Sequence, residues 1–284
     1  QPACPETAMP NEIRITSPSF APLRSRLKGS VMDDPFTRGR YATDASIYQM
    51  MPYAVVVPET LGDVEVTLDF AREHGIAVLP RGGGTSQCGQ TVNHAVVIDA
   101  SKHLNRIIEL DVEGHCCLVE PGIVLDELNR HLKPHGLWFP VDVSTSSRAT
   151  IGGMAGNNSC GGRSIRYGMM RDNVTAIDAI LSDGSTARFG DVASTSPSGL
   201  LKELQPRLLA MGETHGADIL DGFPKVLRRV GGYNVDALIP DAMAMRPGGL
   251  AGDGINLSHL LVGSEGTLAY STAIELKLWP LPAK

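Results

Sequence analysis

Apolar runs along the chain alternate with segments of helical spacing, most clearly from Tyr53 onward. Ala54–Val57 is an apolar, β-branched run closed by Pro58, which reads as a buried strand. Thr60 can cap a helix over Leu61–His74, where Leu61, Val64, Leu68 and Ala71 recur on one face and Gly75 supplies the stop. Ile76–Leu79 is the next short apolar strand, so this stretch predicts a βαβ unit with parallel strands. Ala95–Asp99 predicts a further strand, and Arg106–Leu110 with Cys116–Glu120 a hairpin about Asp111–His115. A helix follows through Leu125, Leu128 and Leu132 and ends near His135-Gly136. Val174–Leu181 with the tight turn Ser182–Ser185 predicts a second hairpin, and Thr267–Leu278 a closing strand. The prolines at 2, 5, 10, 18 and 22 make the start an extended arm with a short helix near Leu23–Leu27. Residues 191–200 read as a surface loop and 201–260 as mixed helix and loop. Residues 144–168 show no convincing periodicity, and no internal repeat is present.

Composition narrows the function classes. The chain has 284 residues and a net charge of −6, which disfavours a general nucleic-acid or anionic-membrane binder. No apolar run approaches the roughly 18 residues of a membrane span. Gln1–Pro10 lacks the basic and apolar regions of a signal peptide, and the missing initiator Met suggests that the natural N-terminus was removed or lies upstream. The five cysteines (Cys4, Cys88, Cys116, Cys117 and Cys160) form no CxxC and are odd in number. Reduced thiols in a cytoplasmic protein are the plain expectation.

The informative feature is glycine. Pro80-Arg81-Gly82-Gly83-Gly84-Thr85-Ser86 follows a predicted strand. Three glycines without side-chain bulk let successive backbone N–H groups approach a ligand and form an anion-binding concavity. Thr85 and Ser86 add hydroxyls, Arg81 adds charge, and the natural guest is a phosphate. The alternative for this loop is a tight turn packed on a neighbour. A second loop, Ser144-Thr145-Ser146 through Thr150-Ile151-Gly152-Gly153 to Gly156-Asn157, is rich in hydroxyls and glycine and poor in carboxylates. That suits a polyanionic or heavily hydrogen-bonded ligand better than a hard cation. Gly263-Ser264-Glu265-Gly266-Thr267-Leu268 is a third such bend. A long stretch like 144–168 without structure of its own is uncommon unless it is functional.

Familiar nucleotide motifs fail on specific residues. Gly84 to Thr91 nearly matches the P-loop, but Gln90 stands where a lysine must reach the phosphates. The dinucleotide fingerprint lacks its first glycine at Ile151. Val262 replaces the first glycine of GxSxG, which removes a serine-hydrolase reading. His131 and His135 have metal-like spacing, but Pro134 lies between them and a helix C-terminus is the simpler account. His74 and His103 read as surface or cap residues, and Cys116-Cys117 as packing on a strand.

Taken in order, Pro58-Glu59-Thr60, Pro80–Ser86, Glu120-Pro121-Gly122, Ser144–Ser146, Ala149–Gly153, Tyr167-Gly168, Asp172-Asn173-Val174, Asp183-Gly184 and Gly263–Leu268 resemble the FAD-binding domain of the vanillyl-alcohol oxidase / p-cresol methylhydroxylase family. The resemblance covers about 46–281 and is closest to the D-lactate, glycolate and D-2-hydroxyglutarate dehydrogenases of the large FAD plus iron–sulfur type. It implies an α+β, two-subdomain PCMH-type fold. A small parallel βαβ subdomain (about 46–105) would join a larger, mainly antiparallel sheet with helices (106–281), after an N-terminal extension over 1–45. It implies FAD held non-covalently, because Thr85 stands at about the position where some relatives carry a covalently linked histidine. Loop 80–86 would bind the pyrophosphate. Pro121-Gly122 and the loop from Ser144 to Asn157 would run along the cofactor. Tyr167, Asp172, Val174, Gly263, Glu265 and Gly266 would complete the walls, with Ile274 on the adenine side.

The implied reaction is hydride transfer from a 2-hydroxy acid to flavin N5. The catalytic base, the carboxylate-binding side chains and the metal ligands would lie in a cap domain beyond this chain, so no catalytic or metal residue is assigned within it. An electron acceptor or an iron–sulfur module would lie elsewhere in the full-length protein, and a homo-oligomer is compatible with the pattern. The chain is expected to hold FAD and to turn over poorly alone, as a fragment or a natural remnant. A different nucleotide- or phosphate-binding module, for CoA or ATP, and a non-catalytic interaction domain stay open as alternatives.

Overall fold

A computed structural model describes residues 18–226, 228–240 and 254–282. Cys4 and the first three prolines of the arm lie outside these residues. The described chain builds two main sheets with a cleft between them, an α+β arrangement as expected.

The smaller sheet has the order β1-β2-β4-β3. Strands β2 (Ala54–Val57) and β3 (Val78–Arg81) each run parallel to β4 (Val96–Asp99), which lies between them. The predicted βαβ unit is therefore present, but its two strands are not neighbours. β1 (Ser30–Met32) adds an antiparallel edge, and the short helices α1 (Ala21–Arg24) and α2 (Pro35–Arg40) flank it. The segment read as an extension thus contributes a strand to this sheet. Helix α3 (Leu61–His74) begins with a reciprocal cap between Thr60 and Asp63 and ends at Gly75 in a left-handed conformation. Burial alone would raise the Asp63 pKa, but bonds from the backbone N–H groups of Lys28, Glu59, Gly29 and Thr60 hold it below its ordinary value. Val64, Phe70 and Ala71 bury one face of α3 against the sheet.

The larger sheet has the order β5-β6-β10-β8-β9 and is antiparallel throughout. Its strands are β5 (Ile107–Asp111), β6 (Cys116–Val119), β8 (Val174–Ile180), β9 (Thr186–Phe189) and β10 (Tyr270–Lys277). Both predicted hairpins and the closing strand are found here. A short pair, β7 (Leu137–Trp138) with β11 (Trp279–Pro280), stands apart. Helix α4 (Leu125–Leu132) buries its three leucines in the largest core, beside Val119, Ile177 and Ile274. His131 and His135 sit in the last turn of α4 and the following 3-10 turn, which Gly136 ends.

One region differs from the sequence expectation. The stretch 144–168 contains α5 (Ile151–Asn157) and α6 (Ser164–Tyr167). The Thr150 hydroxyl caps α5 by accepting the Gly153 N–H, and Ile151, Met154 and Ala155 bury its apolar face. Three glycines in seven positions lower helix propensity enough to hide that spacing. Within 201–260, one long helix, α7 (Leu201–Gly222), tolerates Pro206 near its start, and α8 (Ser258–Leu261) packs on β8. No described helix is long and apolar enough to cross a membrane.

Candidate functional site

Between the two sheets lies a cleft of about 460 Å³, a volume typical of small-molecule sites. The loop leaving β3 forms one wall. Pro121, the loop before α5, and α5 itself form the opposite wall, and the bend before β10 closes one side.

The glycines are where the walls meet. A Cβ on Gly82 would stand 2.0 Å from Thr150 Oγ1, and one on Gly83 would stand 2.3 Å from the Arg148 carbonyl oxygen. A Cβ on Gly152 would stand 2.6 Å from Pro121 Cβ. Only side-chain-free backbone allows these approaches. Arg81–Ser86 and Ser144–Gly156 therefore face one shared cleft rather than serving as separate connections.

The N–H groups of Gly82, Gly83, Gly84, Thr85 and Ser86 make no hydrogen bond among the described residues, nor do the hydroxyls of Thr85, Ser86, Ser144 and Thr145. These groups lie outside the regular strands and helices, where protein, water or a ligand can serve them. The cleft is thus lined with donors that an acceptor-rich guest could engage.

Arg81 offers fewer free donors to that guest than its place suggests. Its Nη1 donates to the carbonyls of Tyr41 (3.1 Å) and Thr91 (2.9 Å), and its Nη2 to that of Thr43 (2.8 Å). The guanidinium also stacks on the Tyr41 ring, 5.2 Å from the centroid. Arg81 braces the loop from behind. Tyr41 Oη in turn donates to the buried Asp99 at 2.6 Å, and burial with this bond pushes the phenol pKa well up.

Glu265 is the other charged side chain on the cleft wall among the described residues. Its backbone is left-handed at φ +53°, and Oε1 accepts from Asn157 Nδ2 (3.1 Å) and Gln90 Nε2 (3.4 Å). Burial raises its pKa, against the pull of these two hydrogen bonds. At the root of the opposite wall, Arg106 pairs with buried Glu120 at 2.8 Å and fixes the turn that presents Pro121.

Most positions singled out in the sequence lie on this cleft: Pro80 to Ser86, Pro121, Ser144, Thr145, Thr150, Gly152, Gly153, Gly156, Asn157, Glu265 and Gly266. Eight do not line it, each with a visible packing reason. Gly122 lies under the carbonyls of Ala100 and Leu104, and Ser146 lends its carbonyl to Asp126 N–H. Ile151, Val174 and Ile274 are in the large core. Tyr167 stands edge-on between Trp138 and Trp279, with centroids 5.5 and 5.1 Å away. Asp172 accepts the Met169 N–H and packs under Gly168, and Gly263 turns at φ +84° beside Asn158. Among residues on the cleft that were not selected, Gln90 and Thr91 carried the signal of the near-miss P-loop. Ser159 and Cys160 fall in the flagged stretch. Val230 gave no signal at all.

Comparison with known proteins agrees with this geometry. The family model described as FAD binding domain matches residues 52–190. The chain is 37% identical over 253 residues to D-2-hydroxyglutarate dehydrogenase of Pantoea ananatis, covering 85% of this chain and 24% of that protein. It is 30% identical over 244 residues to glycolate oxidase subunit GlcD of Bacillus subtilis, covering 85% and 40% respectively. Among solved structures, Physcomitrella patens BBE-like 1 superimposes with a TM-score of 0.62 at 13% identity, over 94% of this chain and 45% of that one. That likeness is one of fold. The chain spans about a quarter of the length of the D-2-hydroxyglutarate dehydrogenase it matches.

Proposed function

Because residues 52–190 match the FAD-binding-domain model, we propose that this chain is the flavin-holding part of an enzyme that oxidises a 2-hydroxy acid. The observation that carries the reading is the row of five unpartnered N–H groups from Gly82 to Ser86, facing the hydroxyls of Ser144 and Thr145 across one cleft. A diphosphate offers several anionic acceptors and needs such a row. A ribityl chain and riboses match a wall of hydroxyls and backbone groups.

The residues present fit FAD. Gly82–Ser86 would take the diphosphate, and Ser144, Thr145 and Thr150 to Gly153 would follow the chain toward the ring. Asn157, Glu265 and Gly266 would close the side. When bound, FAD supplies a two-electron acceptor for hydride from a carbon bearing a hydroxyl. The chain's own residues bind and orient. No histidine lines the cleft among the described residues, and no proton-accepting group is assigned within it. Attachment is non-covalent, since Thr85 offers no ring nitrogen near the loop.

The substrate class rests on the relatives' names and is D-2-hydroxyglutarate, D-lactate or glycolate. Partners are this small acid and an electron acceptor or iron–sulfur module elsewhere in the full-length protein; a homo-oligomer is compatible with this. A cytoplasmic place is our reading, supported by the four described cysteines, Cys88, Cys116, Cys117 and Cys160, being free thiols.

The test is a titration of the purified chain with FAD, FMN, CoA and ATP. Tight FAD binding with twin visible flavin bands is expected, with no turnover of the three acids in a dye-linked assay. CoA or ATP binding with FAD excluded would overturn the reading.

A further inference from the structure

Gln90 occupies the place where a P-loop lysine would stand, and its amide does something else. Its Oε1 accepts from the Cys88 N–H at 3.2 Å, which turns Nε2 toward Glu265 Oε1, 3.4 Å away. Asn157 Nδ2 donates to the same oxygen at 3.1 Å. Gln90 belongs to the loop that leaves β3 of the smaller sheet. Asn157 ends α5, on the side of the larger sheet. One carboxyl oxygen therefore receives a hydrogen bond from each half of the molecule. Among the described residues, Gln90–Glu265 is the only hydrogen bond from loop 82–91 to the larger half.

The backbone points the same way. Glu265 sits at φ +53° between Gly263 (φ +84°) and Gly266 (φ +74°). It is held there by Glu265 N–H to Gly156 O and Gly263 N–H to Ala155 O, both 2.9 Å. Glycine would adopt this conformation without strain, as its neighbours do, so a glutamate here signals a use for the side chain.

We propose that Glu265 is a positioning residue. It forms a clasp with Gln90 and Asn157 that ties the glycine-rich loop to the larger half and must part before a dinucleotide-length ligand leaves. The clasp rests on the flavin reading for its ligand, but not for its existence, since the bridge is made between protein atoms alone. A ligand gripped by two separate walls escapes only when the walls separate. One hydrogen bond joining them should therefore appear mainly in the release rate.

The experiment measures FAD release by the rise in flavin fluorescence after dilution. It compares the wild type, Gln90→Ala, Glu265→Ala, the double variant and Glu265→Gln. Gln90 lies on a half-buried loop, so its truncation leaves the core intact, which thermal melting checks. Gln90→Ala and Glu265→Ala are expected to speed release about 3- to 10-fold, the weight of one hydrogen bond. The double variant should be no faster than Glu265→Ala alone, and Glu265→Gln, which keeps an acceptor, should restore slow release. In parallel, hydrogen exchange of 86–91 in the flavin-free chain should quicken in both alanine variants. Unchanged or additive release rates with unchanged exchange would overturn the clasp. Quickened exchange in a chain that takes up no FAD would keep the clasp and sink the flavin reading instead.

Discussion

Gly83→Ala adds one methyl at the point where the two walls touch. Gly83 is not in the left-handed region, so alanine brings no backbone penalty and even restricts the unfolded chain. Its Cβ would stand 2.3 Å from the Arg148 carbonyl oxygen and 3.0 Å from the carbonyl carbon. Ordinary contact requires the two loops to part by about 1 Å. The Arg148 carbonyl has little room to yield, because Arg148 N–H and Ala149 N–H both bond Thr145 O at 2.8 Å. Such overpacking costs about 1–3 kcal/mol and should lower the melting temperature by roughly 2–10 °C. The loss of affinity should be larger. Displacing Gly82–Ser86 takes at least two N–H groups out of reach of the diphosphate. Each is worth about 1.5–3 kcal/mol toward an anion, so FAD should bind at least about 100-fold more weakly. Calorimetric titration of folded variant and wild type reads this directly. Gly39→Ala serves as control, since nothing lies within 4 Å of its added Cβ. A folded Gly83→Ala chain that binds FAD within about threefold of wild type would refute a diphosphate site built on this contact.

Arg81→Lys replaces a fork that reaches the carbonyls of Tyr41, Thr43 and Thr91 with a single ammonium. Stability should fall by about 2 kcal/mol in a denaturant titration. Because that guanidinium is turned to carbonyls, wild-type FAD affinity should vary less than about threefold between low and moderate salt; a steep salt slope would refute dipole-led binding. Glu265→Gln should change the pH dependence of melting. Burial raises the folded pKa of Glu265 above its ordinary value, so protonation favours the folded state. The contribution is full below the ordinary carboxyl range and is lost as pH rises through the raised value. The variant should therefore melt higher than wild type near pH 7.5, with the gap shrinking toward pH 4. Cys117, buried and with its thiol pushed up to about 12 by desolvation, should resist alkylation at pH 8 while exposed Cys88 reacts; mass spectrometry of the labelled peptides separates them.

Most strands were legible because buried β-branched runs such as Ala54–Val57 carry their own signal, whereas the insertion of β4 between β2 and β3 and the edge strand β1 depend on contacts distant in sequence. The convergence of the bends was legible from glycine, since three in a row after a strand make sense only where backbone must come close. Helix α5 was hidden by the same glycines, whose low helix propensity masks Ile151, Met154 and Ala155. What Arg81 does could not be read locally. Its partners Tyr41 and Thr43 come from a segment that looked like an extension, and only the packing of β1 and α2 onto the smaller sheet brings them behind the loop. Tyr167, Asp172 and Gly263 show another limit. They belong to the motif series, yet they shape the wall from behind by ring stacking, a turn and a left-handed bend.

The electrostatics of the cleft also choose among guests. The protein is net negative, at −6, and the one guanidinium on the cleft wall among the described residues is engaged with carbonyls. A guest phosphate therefore takes its hydrogen bonds from N–H groups and hydroxyls, which are spread along the loop rather than concentrated at one point. An internal diphosphate, with one charge on each phosphorus and groups extending both ways, matches that spread. A terminal triphosphate concentrates more charge at one end and meets Gln90, a neutral amide already committed to Glu265. The same substitution that breaks the P-loop pattern thus weighs against ATP and in favour of a ligand that passes through the cleft instead of ending in it.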